Sequence, residues 1–464
     1  MLIRDAEIRG HGRADVRIAK DVITAIGTLS TLAGEVVHDA HGGALLPGLH
    51  DHHIHLAALA VARSSVACGP PGANDATELA QALTRPGEGW LRGIGYHDSV
   101  AGMLDAEMLD TMAPHRPVRI QHRSGRMWFF NSAGLDLLLA AAPPPPGLEQ
   151  QDGRWTGRLF DEDRWLRETL GGTPPSFAAI SRELAAMGIT GLTDMSPAND
   201  VDMARHFARE QASGALSQRV MLAGTLGLAK APFGPTLTLG PAKLHLHENA
   251  LPAFDDSVDF MRAAHEQQRG VAIHCTTETE LVFALAALDA AGPLAGDRIE
   301  HAGVVPDPLI AEMLRLKVQV VTQPHFIAER GDQYLKDVEP RDPPFLYRLD
   351  ALRRAGLVVA AGSDAPFGSC DPWAAMRAAV VRQTASGTII GPDETSTPEQ
   401  ALALYLADPQ DLMVERRIAV GARADLCLLN RPWAQARDRL LAHDVQLTLI
   451  GGSIVHDGVD QAPA

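Results

Sequence analysis

Pro47-Gly48-Leu49-His50-Asp51-His52-His53-Ile54-His55 closes an apolar run that begins at Leu45. Successive side chains of a strand alternate between faces, so His53 and His55 point one way and Ile54 the other. Two imidazoles presented together at a strand end can share one metal ion. Asp51 is in phase with them and is placed to orient a ligand from behind. Alone, the pair is only suggestive, because polar loops also collect histidines. Its weight depends on what else reaches the same place.

Further along the chain, His274 ends the run Gly270-Val271-Ala272-Ile273-His274, His301 ends Arg298-Ile299-Glu300-His301, and Asp364 follows the apolar stretch from Leu357 to Ser363. Strand-like runs over 45–55, 189–195, 219–225, 243–247, 270–276, 298–302, 318–323 and 357–364 make eight. Amphipathic stretches over 257–268, 278–291, 307–316 and 371–384 separate several of them. That alternation predicts an α/β fold, a (β/α)8 TIM barrel. A histidine at one strand end is usually a satisfied polar residue. A barrel changes that reading, because its strand ends surround one mouth, where His53, His55, His274, His301 and Asp364 would meet.

The interval between His55 and Ile189 is far longer than one βα unit requires, so an inserted subdomain is expected at about 70–175. It contains a strand-like run over 117–122, an aromatic segment over 127–130, and a helix over 131–142 that four prolines from Pro143 to Pro146 stop. Both chain ends read as short strands punctuated by Gly and Asp, at 1–4, 15–18, 22–26 and 35–39, then at 424–430 and 445–455. They predict a small composite β-sandwich of 1–46 and 408–464 around a barrel of 47–407.

A chain of 464 residues with net charge -16 can bury a large core, and its field repels phosphates. Nucleic acid and anionic membranes are therefore not expected partners; a small-molecule substrate is, with a homodimer left open. No apolar run reaches the ~18 residues of a membrane span, and the start lacks the pattern of a signal peptide, so a cytoplasmic protein is expected. The four cysteines, Cys68, Cys275, Cys370 and Cys427, are too scattered for a thiolate metal site or a disulfide framework. Lysines are few, which makes Lys243 at the start of the run 243–247 conspicuous. A protonated lysine has no lone pair for a cation, so the plain alternative is a side chain that closes a helix end or pairs with an acid. His245 and His247 share one face of that run, as pocket lining, surface or ligands.

The segment Pro47 to His55, with His274, His301 and Gly362-Ser363-Asp364-Ala365-Pro366, resembles the PGxxDxHxH pattern and later strand-end ligands of the amidohydrolase superfamily. Gly188-Ile189-Thr190, Lys243-Leu244 and Gly421-Ala422-Arg423-Ala424-Asp425-Leu426 are most similar to its amidohydrolase-3 branch, which includes N-substituted formamide deformylases. The resemblance spans nearly the whole chain. It implies a barrel with a composite sandwich and a long first insertion, and a divalent metal, zinc by default, as one ion or two. His53, His55 and Asp364 would hold the more buried ion, and His274 and His301 a second ion or the substrate. Lys243 matches a lysine that several members carboxylate to bridge two metals. Asp364 would serve as general base for metal-activated water attacking a C–N bond of an amide, N-formyl or cyclic amide compound. An esterase, lactonase or decarboxylase on the same site is the alternative chemistry, and a non-catalytic metal- or metabolite-binding barrel is the alternative class. Where branch members carry Gly-His followed by Asn, this chain has Gly125-Arg126, with Asn131 beyond. Arg126 could clamp a substrate carboxylate or be a solvated arginine beside aromatic packing. His325 and Glu278 are further candidates for touching substrate.

Overall fold

The computed structural model describes residues 1–458 other than 71, 88, 172 and 173. The chain divides into two compact units, Met1–Leu56 with Ser176–Ala464, and Ala57–Pro175.

In the first unit, eight parallel strands follow one another in chain order: β1 Leu49–Ile54, β2 Ile189–Asp194, β3 Arg219–Gly224, β4 Leu237–His245, β5 Val271–Cys275, β6 Arg298–His301, β7 Gln319–Thr322 and β8 Val359–Ala361. Each pairs in parallel with the next, as in Leu244 with Ile273 and Cys275 with His301. Past the end of β8 the chain ties back to β1: the Asp364 amide donates to the His53 carbonyl at 2.7 Å, and the His55 amide to the Ala365 carbonyl at 2.9 Å. This arrangement is a nearly closed barrel of TIM type.

Outward side chains such as Val271, Ile273, Ile299 and Val320 pack on Met261, Leu281, Leu288 and Met313 of the surrounding helices. Each such aliphatic side chain stabilises the fold by about 1.5–3 kcal/mol when fully buried. With the outer face apolar, polar residues on the strands are left to the interior and the mouth.

Two expectations need correction. The run 45–55 is two strands: Leu45–Pro47 pairs with Leu426–Leu429 near the chain ends, and only Leu49–Ile54 belongs to the barrel. Gly48 separates them, and a Cβ there would meet Thr190 at 2.1 Å. The run 243–247 begins too late, since β4 starts at Leu237. Gly240-Pro241 reads as a breaker, but the pairing of β3 with β4 shifts register there, and a bulge accommodates a residue without an N–H. Lys243 therefore lies near the end of β4, not at its start.

The chain ends supply two further four-stranded sheets. One joins Val22–Gly27, Gly12–Ala19, Leu2–Ile8 and Val37–Asp39; the other joins Ser453–Asp457, Val445–Ile450, Leu426–Leu429 and Leu45–Pro47. Ile3, Ile8, Val16 and Ile23 from the first share one apolar cluster with Leu45, Leu426, Leu428 and Leu447 from the second.

The second unit is a six-stranded sheet in the order Leu148–Gln151, Arg154–Phe160, Met127–Phe130, Val118–His122, Leu91–Tyr96, Val66–Ala67. Four of these strands escape a reading of the sequence: Val66–Ala67 is two residues long, and Leu91–Tyr96, Leu148–Gln151 and Arg154–Phe160 are short and rich in Arg, Gln and Gly. Trp128 and Phe129 are buried packing residues on opposite faces, each in its own apolar cluster. The helix Ser132–Ala141 is capped by Asn131, whose side chain accepts from the Gly134 amide. All four cysteines are free and buried. Among the described residues, no helix is long and apolar enough to cross a membrane.

Candidate metal centre

His53 lies at the end of β1 with no exposed surface, and its Nδ1 is 2.5 Å from Glu300 Oε2, on β6. A carboxylate accepts only, so Nδ1 carries the proton and the lone pair belongs to Nε2, which lies 3.4 Å from Asp364 Oδ1. His301 is fixed in the same way: its Nδ1 donates to Gln323 Oε1 at 2.8 Å, leaving Nε2 as the donor atom for a cation. One ligand atom each from His53, His301 and Asp364 lie within 4.8 Å of one another. Two imidazole nitrogens and a carboxylate oxygen form a donor set suited to a divalent cation. His53 Nε2 and Lys243 Nζ are buried and have no hydrogen-bond partner. The residues present therefore fit such an ion.

Local backbone makes the convergence work. His301 has φ of 69° and Asp364 of 53°, both left-handed. A regular strand would turn Glu300 and His301 to opposite faces. The left-handed residue breaks the alternation, so both reach the interior, at a cost of roughly 1–2 kcal/mol. Asp51 acts on the backbone: Oδ1 accepts from the His53 amide at 3.1 Å and the Ser363 amide at 2.9 Å. Burial pushes its carboxyl up to about 6.

Burial also lowers the pKa of His53, His274 and His301, which keeps their lone pairs available near neutral pH. Burial lowers Lys243 as well, against the pull of Glu300 and Asp364. For Asp364, burial raises the pKa, but the His55 hydrogen bond and the neighbouring imidazoles outweigh it and hold the carboxyl below its ordinary value. His55 Nε2 is 3.1 Å from Asp364 Oδ1, and its Nδ1 is 3.2 Å from Ser196 Oγ.

These groups open onto a chamber of about 790 Å³. His55, Lys243, His245, His274, His301 and Asp364 line its polar side, and Phe326, Tyr334, Tyr347 and Phe367, with Leu346, give it a largely aromatic wall. The His274 ring is 4.4 Å from that of His301 and 4.3 Å from that of His245; His247 is 4.3 Å from His245. Glu278 also lines the chamber, paired with Arg341 at 2.6 Å. His325 is buried behind the end of β8, its Nε2 bonded to the Ser363 carbonyl at 3.0 Å, and is not part of the chamber lining. Arg126 belongs to the second unit, where Asp161 holds it bidentately at 2.8 and 2.7 Å. The sequence reading missed Glu300, which also pairs with Arg298, and Gln323. The only available signal was their position beside strand-end histidines.

Residues 36–456 match the profile of the amidohydrolase family, in its amidohydrolase-3 branch. The chain belongs to the amidohydrolase family. Among its relatives, the N-substituted formamide deformylase of Arthrobacter pascens is 25% identical over 499 residues, 92% of each chain. The Bacillus subtilis (strain 168) protein YtcJ, which bears an amidohydrolase name, is 24% identical over 487 residues, 90% of each. An uncharacterised metal-dependent hydrolase of Pyrococcus horikoshii OT3 has the same fold, with a TM-score of 0.77 at 20% identity over 93% of this chain and 97% of that one. Its Pyrococcus furiosus counterpart gives 0.75 at 21% identity, over 93% and 98%. As an amidohydrolase, the protein is a hydrolase.

Proposed function

We propose that this amidohydrolase uses a divalent cation, zinc by its donor set, to hydrolyse a C–N bond of a small amide, N-formyl or cyclic amide compound. The observation that carries the reading is the convergence of His53, His301 and Asp364 at the wall of an aromatic-lined chamber. A bound divalent cation lowers the pKa of water and polarises a carbonyl oxygen.

The chain's own residues do the rest. Asp364, kept ionised, accepts a proton from the attacking water as the C–O bond forms, and returns it to the nitrogen as the C–N bond breaks. His55 holds that carboxylate through Nε2. Glu300 and Gln323 fix the rings of His53 and His301, so neither must reorient during turnover. His274 lies beside them and would bind a second ion or the substrate carbonyl. Lys243 would be carboxylated: burial favours its neutral amine, which adds to carbon dioxide and releases a proton, creating an oxygen ligand where an ammonium has none.

The net charge of -16 supports a small-molecule substrate rather than nucleic acid, and a cytoplasmic location is consistent with the scattered free cysteines. The two terminal sheets, with their shared apolar cluster, we read as one composite sandwich of 1–46 and 408–464 beside the barrel.

A panel of chromogenic N-formyl compounds, amides, esters and phosphotriesters tests the reaction. Turnover is expected on the C–N substrates, with Asp364→Asn lowering kcat about 10²–10⁴-fold. Strong esterase activity without amidase activity would overturn the bond assignment. Turnover untouched by Asp364→Asn would overturn the mechanism.

A further inference from the structure

In the second unit, Arg92 and Arg119 lie directly opposite one another on the neighbouring parallel strands Leu91–Tyr96 and Val118–His122. Such strands run about 4.8 Å apart. Residues paired in register share a sheet face, so two guanidinium-bearing side chains emerge side by side. Each is laid over an indole, Arg92 over Trp128 at 5.5 Å and Arg119 over Trp90 at 5.7 Å from the ring centre.

A ring contact occupies the flat face of a guanidinium and leaves its five N–H donors to be satisfied at the edge. Here they are not. Arg92 Nε and Arg119 Nε are buried without a hydrogen-bond partner, and no carboxylate pairs with either residue among those described. Asp163 acts on Arg92 through space, but its Oδ1 is engaged by the Trp128 indole N–H at 2.8 Å. The unit does not lack acids for its other arginines: Asp161 holds Arg126, and Glu149 holds Arg158. Two adjacent cations are thus left with each other, and burial together with their mutual repulsion lowers the Arg92 pKa to about 10. Both residues are half-buried.

An oxyanion removes both difficulties at once. It supplies the missing charge and accepts in the planar, forked geometry that guanidinium groups match. We propose that Arg92 and Arg119, flanked by Trp90 and Trp128, form an oxyanion-binding site that takes the carboxylate or phosphate group of a small molecule.

The full-length protein is titrated with inorganic phosphate and with succinate, each against sodium chloride at matched ionic strength, and Tm is recorded. A saturating rise of several degrees with either anion is expected, because binding to the folded state alone stabilises it. Phosphate alone acting identifies a phosphate carrier, and succinate alone a carboxylate. In Arg92→Met/Arg119→Met the rise should vanish. Should that variant fail to fold, Arg92→Gln and Arg119→Gln singly should each raise the half-saturating concentration at least tenfold. The site is disproved if neither anion moves Tm beyond the chloride control, if the rise survives in the double variant, or if both single variants bind unchanged.

Discussion

Glu300 sets the tautomer of His53, and the centre depends on that ring. Its Oε2 takes the Nδ1 proton while Oε1 engages Arg298, all within a buried cluster. In Glu300→Gln the amide can still accept one hydrogen bond, but the charge that raises imidazole basicity and neutralises Arg298 is gone. Metal affinity should fall about 10–100-fold, and the uncompensated arginine should cost about 3–5 kcal/mol of stability. Competition with a chromogenic chelator, alongside thermal melts, checks both. Unchanged metal retention would remove Glu300 from the site. Lys243 has its own readout: protein purified without chelators should contain close to two metals per chain and a mass increment of one carbon dioxide, both lost in Lys243→Ala. One metal and an unmodified mass would leave Lys243 a buried amine. The histidines that converge at the barrel mouth were legible because strand alternation and strand ends are properties of a local run. Glu300 and Gln323 were not, because their partners lie on other strands, far away in sequence.

Gly362 controls how closely the end of β8 approaches β1, and with it the position of Asp364. A Cβ there would lie 2.3 Å from the His53 amide nitrogen. The bonds joining Asp364 to the His53 carbonyl and Ser363 to Asp51 hold the same seam. Gly362→Ala should therefore push the two strand ends apart at a cost of about 1–3 kcal/mol. It should also lower metal occupancy by moving Asp364 away from His53. Urea unfolding and metal analysis of the variant test the two effects, and a protein with normal occupancy would show that the seam does not position the carboxylate. At this scale the sequence exposed elements that bury a continuous apolar face, such as Glu278–Ala291, whose bounds match the expectation. It hid the ones whose identity rests on pairing. β4 contains Gly240-Pro241 and survives through a bulge with β3, while Arg154–Phe160 is a strand only because Met127–Phe130 and Leu148–Gln151 pair with it.

Across the whole molecule, the concentration of neutral buried histidines couples folding to pH. Burial lowers the pKa of His50, His52, His53, His274 and His325, the last to about 4. In the unfolded chain these rings titrate near 6.5. Below that pH the unfolded state binds more protons than the folded one, so stability falls as pH falls, by about 1.4 kcal/mol per pH unit for each ring until its folded pKa is reached. For His325 the window runs from 6.5 down to about 4. Two effects oppose this. Asp51, pushed up to about 6, favours the folded state as pH drops, by one proton. Titrating a chain of net charge -16 towards neutrality also relieves self-repulsion. Neither offsets several histidines acting in the same direction. Chelator-treated protein should therefore hold its urea midpoint between pH 8 and 7 and lose it steeply between pH 6.5 and 5. A midpoint that stays level across that lower interval would mean that the histidines around the barrel mouth are not buried in their neutral form, and the centre built from them would have to be drawn differently.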